Sequence, residues 1–173
     1  MVQIREARTT SLVSSARELI REYSAYLGVD LSFQNFEKEM EEFPLHYARP
    51  EGRILVAVEG GEAVGVVGLR RFSDKTCELK RMYVRPEFRG KGIGRLLAAR
   101  AIQEAQEIGY TRMRLDTLAR LKEAVSLYKS LGFEEIGPYR ANPNQGVVYM
   151  ELDLGRARPG SRRGPKPRRR TSV

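Results

Sequence analysis

Apolar residues recur along this chain in two rhythms, and the switches between them mark its elements. Val2–Ala7 alternates apolar and polar positions as a short edge strand does. From Leu12 to Leu27 the apolar residues Leu12, Val13, Ala16, Leu19, Ile20, Tyr23, Tyr26 and Leu27 return every three or four positions, the signature of one helix face. Thr9, Thr10 and Ser11 offer capping oxygens at its start, and Gly28 suits its end. Ser32–Phe43 predicts a second, more acidic helix with Phe33, Phe36, Met40 and Phe43 on its apolar side, stopped by Pro44. After a loop over residues 45–52, strands Ile54–Val58 and Ala63–Leu69 flank Glu59-Gly-Gly-Glu62, a hairpin signal. Ser73–Thr76 leads into a third strand, Cys77–Val84, which ends at Pro86. Helical spacing resumes over Arg95–Ile108 with Gly109 as a cap, Met113–Thr117 reads as a strand, and Lys122–Leu131 is a helix closed by Gly132. Phe133–Ile136 and Val147–Leu154 are the last strands, separated by the turn residues Asn142–Gly146.

The order β-α-α-β-β-β-α-β-α-β-β predicts an α/β sandwich around one mixed sheet of about seven strands and about four helices. No internal repeat is present. Length changes nothing here, since 173 residues suit one domain. Charge does. The net +9 is concentrated at the C-terminal end, where residues 155–173 hold eight Lys/Arg and no acid, leaving 23 basic against 22 acidic residues before them. The division expected is a folded domain over residues 1–154 and a basic, disordered tail over residues 155–173. That tail fits a solvated extension, or a salt-dependent, sequence-independent contact with nucleic acid; no aromatic residue lies in it to stack on bases.

No apolar run reaches the length of a membrane span, and the N-terminus lacks a signal-peptide pattern, so a reducing cytoplasm is expected. With one cysteine, Cys77, and one histidine, His46, neither an internal disulfide nor a Cys/His metal constellation can be assembled.

The chemistry concentrates after the third strand, in Arg89-Gly-Lys-Gly-Ile-Gly94. Gly90, Gly92 and Gly94 free the backbone to approach an anion, the following helix directs its positive end there, and Arg89, Lys91 and Arg95 add charge. A plain strand-to-helix turn accounts for the glycines too. The spacing matches neither the Gly-Lys-Ser/Thr phosphate loop nor the dinucleotide fingerprint.

Together with Val84-Arg-Pro86 before it, the loop resembles the acyl-donor pyrophosphate loop Gln/Arg-x-x-Gly-x-Gly/Ala of the GCN5-related N-acetyltransferase (GNAT) superfamily. A second signature, Ala-x-x-Leu-Tyr-x-x-x-Gly-Phe, is matched by Ala124, Leu127, Tyr128, Gly132 and Phe133, and the order of elements matches from about Ile4 to Leu154. The resemblance implies a GNAT fold with central strands that splay beyond about Met82, and an acetyl-CoA-dependent transfer of an acetyl group to a primary amine by direct attack in a ternary complex. Acetyl-CoA is then the acyl donor, with no metal. Its pantetheine arm would pair with backbone of Met82 and Val84, and the Met82 amide would meet the thioester carbonyl. Amides from Arg89 through Gly90, Lys91, Gly92, Ile93 and Gly94 to Arg95 would hold the pyrophosphate.

Tyr128 matches the tyrosine acid that protonates the departing thiolate; as an isolated residue, outside that motif, it reads as packing on an apolar face. Glu78 lies at the offset of the general base in some relatives, and strand alternation sets Glu78, Lys80, Met82 and Val84 on one face. The other reading of Glu78 is a strand carboxylate paired with Lys80 or Arg81. Asp116 is a weaker candidate for orienting an acceptor ammonium. Leu121 stands where relatives often carry a cofactor-contacting Asn. The alternative function is a non-catalytic acyl-CoA-binding module tethered to nucleic acid by the tail, with no membrane contact in either case and a monomer or homodimer as the assembly. On the acceptor side, Glu37, Glu39, Glu41 and Glu42 either attract a cationic amine or form a solvated helix face. Residues 139–146, with Tyr139, Arg140 and Asn142, suit an amine or a carboxylate-bearing acceptor. His46 reads as a surface histidine and Cys77 as a small buried residue.

Overall fold

The structure, a computed structural model, describes residues 1–156. The basic tail expected beyond them lies outside the described residues.

Seven strands form one sheet in the order β1-β2-β3-β4-β5-β7-β6: β1 Gln3–Glu6, β2 Arg53–Glu59, β3 Glu62–Arg71, β4 Thr76–Val84, β5 Arg112–Leu118, β6 Glu134–Ile136 and β7 Val147–Asp153. All neighbours are antiparallel except β4 and β5, which run parallel and are linked through a crossover helix. The mixed sheet and the element order agree with the sequence pattern.

Helices cover both faces. On one side lie α1 (Thr10–Leu27) and α2 (Phe36–Glu41), packed through Leu19, Ile20, Phe36 and Met40 onto Val56, Val66 and Tyr83. On the other lie α3 (Ile93–Ile108) and α4 (Lys122–Ser130), with Leu97, Ala101 and Tyr128 against Val67, Leu79, Met113 and Met150. The α1 caps fall where the side chains predict. Thr9 Oγ1 accepts from the Leu12 amide at 3.2 Å, and Gly28 ends the helix with φ +63°. Among the described residues no helix is long and apolar enough to cross a membrane.

One expectation fails. The continuous helix predicted over Ser32–Phe43 is broken into a 3-10 turn, Ser32–Gln34, a left-handed Asn35 at φ +54°, and the short α2. Asparagine is among the few residues that adopt this conformation readily, so the break is encoded locally. It turns both Gln34 and Glu39 toward the sheet, where Gln34 accepts from Lys80 and Glu39 accepts from Arg81. Glu39 is 3 % exposed, so it is not part of a solvated acidic face.

Gly68 on β3 keeps this side of the sheet close-packed. A Cβ there would lie 2.5 Å from Cε1 of Tyr47, a buried ring whose hydroxyl donates to Glu39 at 3.0 Å. Gly68→Ala is therefore expected to cost about 1–3 kcal/mol through overpacking and to lower the thermal midpoint by several degrees in a calorimetric scan.

Candidate active site

The central strand is not regular. Val66 pairs with Tyr83 and Gly68 with Lys80, so Val67 alone opposes both Arg81 and Met82: a β-bulge. Arg81 sits there at φ +59°, a conformation that costs a bulky residue of order 1–3 kcal/mol and persists only where the surroundings hold it. Its holder is Glu39, whose Oε2 accepts from Arg81 Nε at 3.1 Å, while the guanidinium lies 5.1 Å from the Phe36 ring centre.

The bulge has two consequences. β4 pairs with β5 only from Thr76–Glu78 onto Arg112–Arg114, whereas β5 stays paired with β7 through to Leu118. The two central strands thus part, as the resemblance implies. The extra residue also reverses the alternation of faces. Met82 and Val84 pack with Cys77 and Leu79 on the α3 side, while Tyr83 packs on the α1 side. Glu78 and Lys80 point to that α1 side, bonding Tyr139 and Gln34. The expectation that Glu78, Lys80, Met82 and Val84 share one face is corrected, because simple alternation does not survive an inserted residue.

Two cavities meet at this gap. The larger, ≈ 590 Å³, runs from the glycine loop along Met82 and Val84 to Leu121, Ala124 and Leu127. Gly90 and Gly92 both adopt φ +78°, and a Cβ at either would meet nothing within 4 Å, so the loop is an open cradle at the start of α3. Arg89 lines the larger cavity and is also drawn inward. Its amide closes a turn onto the Pro86 carbonyl at 3.2 Å, its Nε donates to the Val84 carbonyl at 2.9 Å, and its guanidinium stacks 4.4 Å from the Tyr26 ring centre. Arg95 donates to Ser130 Oγ at 2.6 Å and Lys91 faces Glu59 at 3.7 Å. What the loop presents is backbone.

The smaller cavity, ≈ 70 Å³, opens on the α1 side between Tyr23, Leu31, Phe33, Gln34, Lys80, Arg81, Asp116, Asn142, Asn144 and Tyr128. Tyr128 is 5 % exposed and packs edge-on to Phe133, with ring centres 5.7 Å apart. Burial raises its pKa well above the usual phenol value, which keeps the hydroxyl protonated.

Glu78 lines neither cavity. It is fully buried, with Oε1 on Arg70 at 3.0 Å and Oε2 on the Tyr139 hydroxyl at 2.8 Å and on Arg140. Burial pushes its pKa up, but Lys80, Arg70, Arg140 and the Tyr139 bond outweigh that and hold it below its ordinary 4.5. Its hydrogen-bonding partners are Arg70, Tyr139 and Arg140; Lys80 acts on it through charge alone, and Arg81 bonds Glu39 instead. Asp116 does reach the smaller cavity, 3.8 Å from Lys80 Nζ and accepting from Asn142 at 3.2 Å. His46 pairs with Glu42 at 3.0 Å on the surface, outside both cavities. The buried Cys77 thiol donates to the Arg112 carbonyl, and burial pushes its pKa up to about 12. Among the described residues no group of three or more His, Cys, Asp or Glu could hold a metal ion.

The Acetyltransferase (GNAT) family matches residues 16–133. An uncharacterised N-acetyltransferase of Schizosaccharomyces pombe is 45% identical over 140 residues, covering 80% of this chain and 86% of that protein. The chain belongs to the GNAT family. It is an N-acetyltransferase. Human N-acetylaspartate synthetase is 39% identical over 141 residues, 80% of this chain, though the match spans 43% of that protein's length. The fold is shared with PaiA N-acetyltransferase from Thermoplasma acidophilum, solved in complex with coenzyme A, at a TM-score of 0.69 and 21% identity over 88% of this chain and 99% of that one. The alternative of a non-catalytic tethered module finds no support among these likenesses.

Sequence reasoning missed Gln34 and Arg70, and the contacts that gather Glu39, Lys80 and Arg81 beside the smaller cavity of this GNAT enzyme. A signal was present, since Glu78, Lys80 and Arg81 put three charges into a central strand that is otherwise apolar. Glu78→Gln would leave Arg70 and Arg140 without their buried counterion, costing on the order of 3–5 kcal/mol by denaturant titration at neutral pH. Because the folded pKa is lowered, the stabilisation is complete above the ordinary 4.5 and is lost as pH falls through the folded value. The gap between wild type and variant is therefore expected to close only below that pH.

Proposed function

We propose that this GNAT enzyme transfers the acetyl group of acetyl-CoA to a primary amine by direct attack within a ternary complex. The observation that carries the reading is the meeting of the two cavities at the parted strands: Tyr23, Met82, Leu121 and Ala124 line both. A donor laid along the larger cavity and an amine held in the smaller one meet beside Met82, with no covalent enzyme intermediate required.

In this reading the open loop amides from Gly90 to Arg95 receive the pyrophosphate, as helix N-termini do. Arg89 positions Tyr26 and the end of β4 and gives no amide to it. The parted edge of β4 at Met82 and Val84 receives the pantetheine arm as an added strand would be received. As the amine nitrogen attacks the thioester carbon, the Met82 amide donates to the oxyanion that forms. The carbon–sulfur bond then breaks, the Tyr128 hydroxyl gives its proton to the sulfur, and the proton lost from the attacking nitrogen returns through solvent to restore that hydroxyl. Leu121 replaces a polar family contact with an apolar wall common to both cavities.

We assign Glu78 a positioning role in place of the expected base. Both its oxygens are engaged, and a lowered pKa makes it a weak proton acceptor.

Titration calorimetry is expected to show saturable acetyl-CoA binding; absence of binding would remove the reading. Tyr128→Phe is expected to lower kcat about 10²-fold or more in a thiol-release assay while acetyl-CoA affinity stays within about twofold. An unchanged kcat would remove the acid from Tyr128.

A further inference from the structure

Behind the smaller cavity lies a network of charges, of which Lys80, Arg81 and Asp116 line the cavity itself. Glu39, Glu78 and Asp116 supply its carboxylates and Arg70, Lys80, Arg81 and Arg140 its cations, each in an ion pair on the α1 side of β4. Glu39 and Glu78 are taken by the arginines: Arg81 bonds Glu39 at 3.1 Å, Arg70 bonds Glu78 at 3.0 Å, and Arg140 bonds Glu78 as well. Arg140 still has a buried Nε without an acceptor. Lys80 is the cation left short. Its side chain is 3% exposed, its hydrogen bond at 3.0 Å goes to the neutral Gln34 amide, Glu78 acts on it from beyond ion-pair distance, and its closest carboxylate, Asp116, stands 3.8 Å away and is also bonded by Asn142.

A buried ammonium without a close anion is unfavourable, and a ligand that brings one removes the penalty. Lys80 lines only the smaller cavity, not the groove of the glycine loop. Lys80 and Met82, on either side of the bulge, both line this cavity. A cavity of ≈ 70 Å³ between them suits a small molecule holding an amine and an anion a few bonds apart.

We propose that the acceptor is a small amine bearing a carboxylate, an amino acid, and that Lys80, steadied by Gln34, binds that carboxylate while the amine faces Met82. The proposal rests on the acetyl-transfer reading and adds the acceptor class to it. Burial pushes Lys80 down to about 8 against the pull of Glu78 and Asp116, in keeping with an ammonium that lacks a full partner. An ammonium held by Asp116 is compatible with the same pose, since Asp116 lines the cavity beside Lys80.

The test is steady-state acetylation by the full chain of a panel of L-amino acids, each beside the compound in which one carboxylate is a carboxamide. At least one acid is expected to exceed its amide tenfold or more in kcat/KM. Lys80→Met is expected to abolish that preference through a KM increase of tenfold or more for the acid, leaving the amide within about threefold; Lys80→Arg retains part of it. Equal use of acids and amides by the wild type overturns the proposal without recourse to any variant. So does a Lys80→Met effect that falls equally on both, or acetyl-CoA binding with no amino acid accepted. Failure of acetyl-CoA to bind at all is a different result, and it removes the acetyl-transfer reading itself.

Discussion

The Arg81–Glu39 ion pair is the contact on which the rest of this site depends. Arg81 occupies a left-handed backbone conformation that it would abandon in isolation, and the buried carboxylate of α2, with the Phe36 ring beneath the guanidinium, holds it there. The bulge that results sends β4 away from β5, brings Met82 to the meeting point of two cavities, and leaves Glu78 and Lys80 on the opposite side of the strand from Met82 and Val84. Remove the bulge and the strands would have every reason to keep pairing, closing the cleft with backbone hydrogen bonds.

The bulge also divides the labour of the strand. Upstream of it, Glu78 and Lys80 face α1 and α2 among arginines and carboxylates; downstream, Met82 and Val84 face α3 and the glycine loop. The charged and the apolar halves of the strand therefore lie on opposite sides, separated by a single extra residue. Buried ionic networks are poor sources of net stability, since desolvation offsets much of the attraction. The retention of one here is better understood through what it positions: the strained Arg81, the loop bearing Tyr139 and Arg140, and Lys80 at the cavity wall.

Agreement between pattern and structure is best at the glycine loop and on α4. The open Gly90 and Gly92 backbone at the head of α3 and the placement of Tyr128 on α4 both follow from local spacing. The contacts of Arg89 do not. Its charge suggested a phosphate partner, but the fold sets Tyr26 from α1 and the Val84 carbonyl within its reach, and those contacts take both its amide and its side chain inward. The acidic second helix fails for a similar reason. Asn35 breaks it, and one of its four glutamates is thereby buried against an arginine 42 residues away.

Local chemistry in the sequence determined the elements, the capped α1, the glycine cradle and the tyrosine helix, because each depends on residues a few positions apart. Only the tertiary structure decided the face on which Glu78 and Met82 lie, and the partners that claim Glu78. A strand pattern counts alternation and has no term for a bulge, which arises from pairing with β3 and from a carboxylate on α2. Which cation stays underpaired is likewise a property of many side chains gathered from distant segments. Lys80 is one more charge in the sequence; in the fold it is the one whose nearest carboxylate stands beyond hydrogen-bond reach.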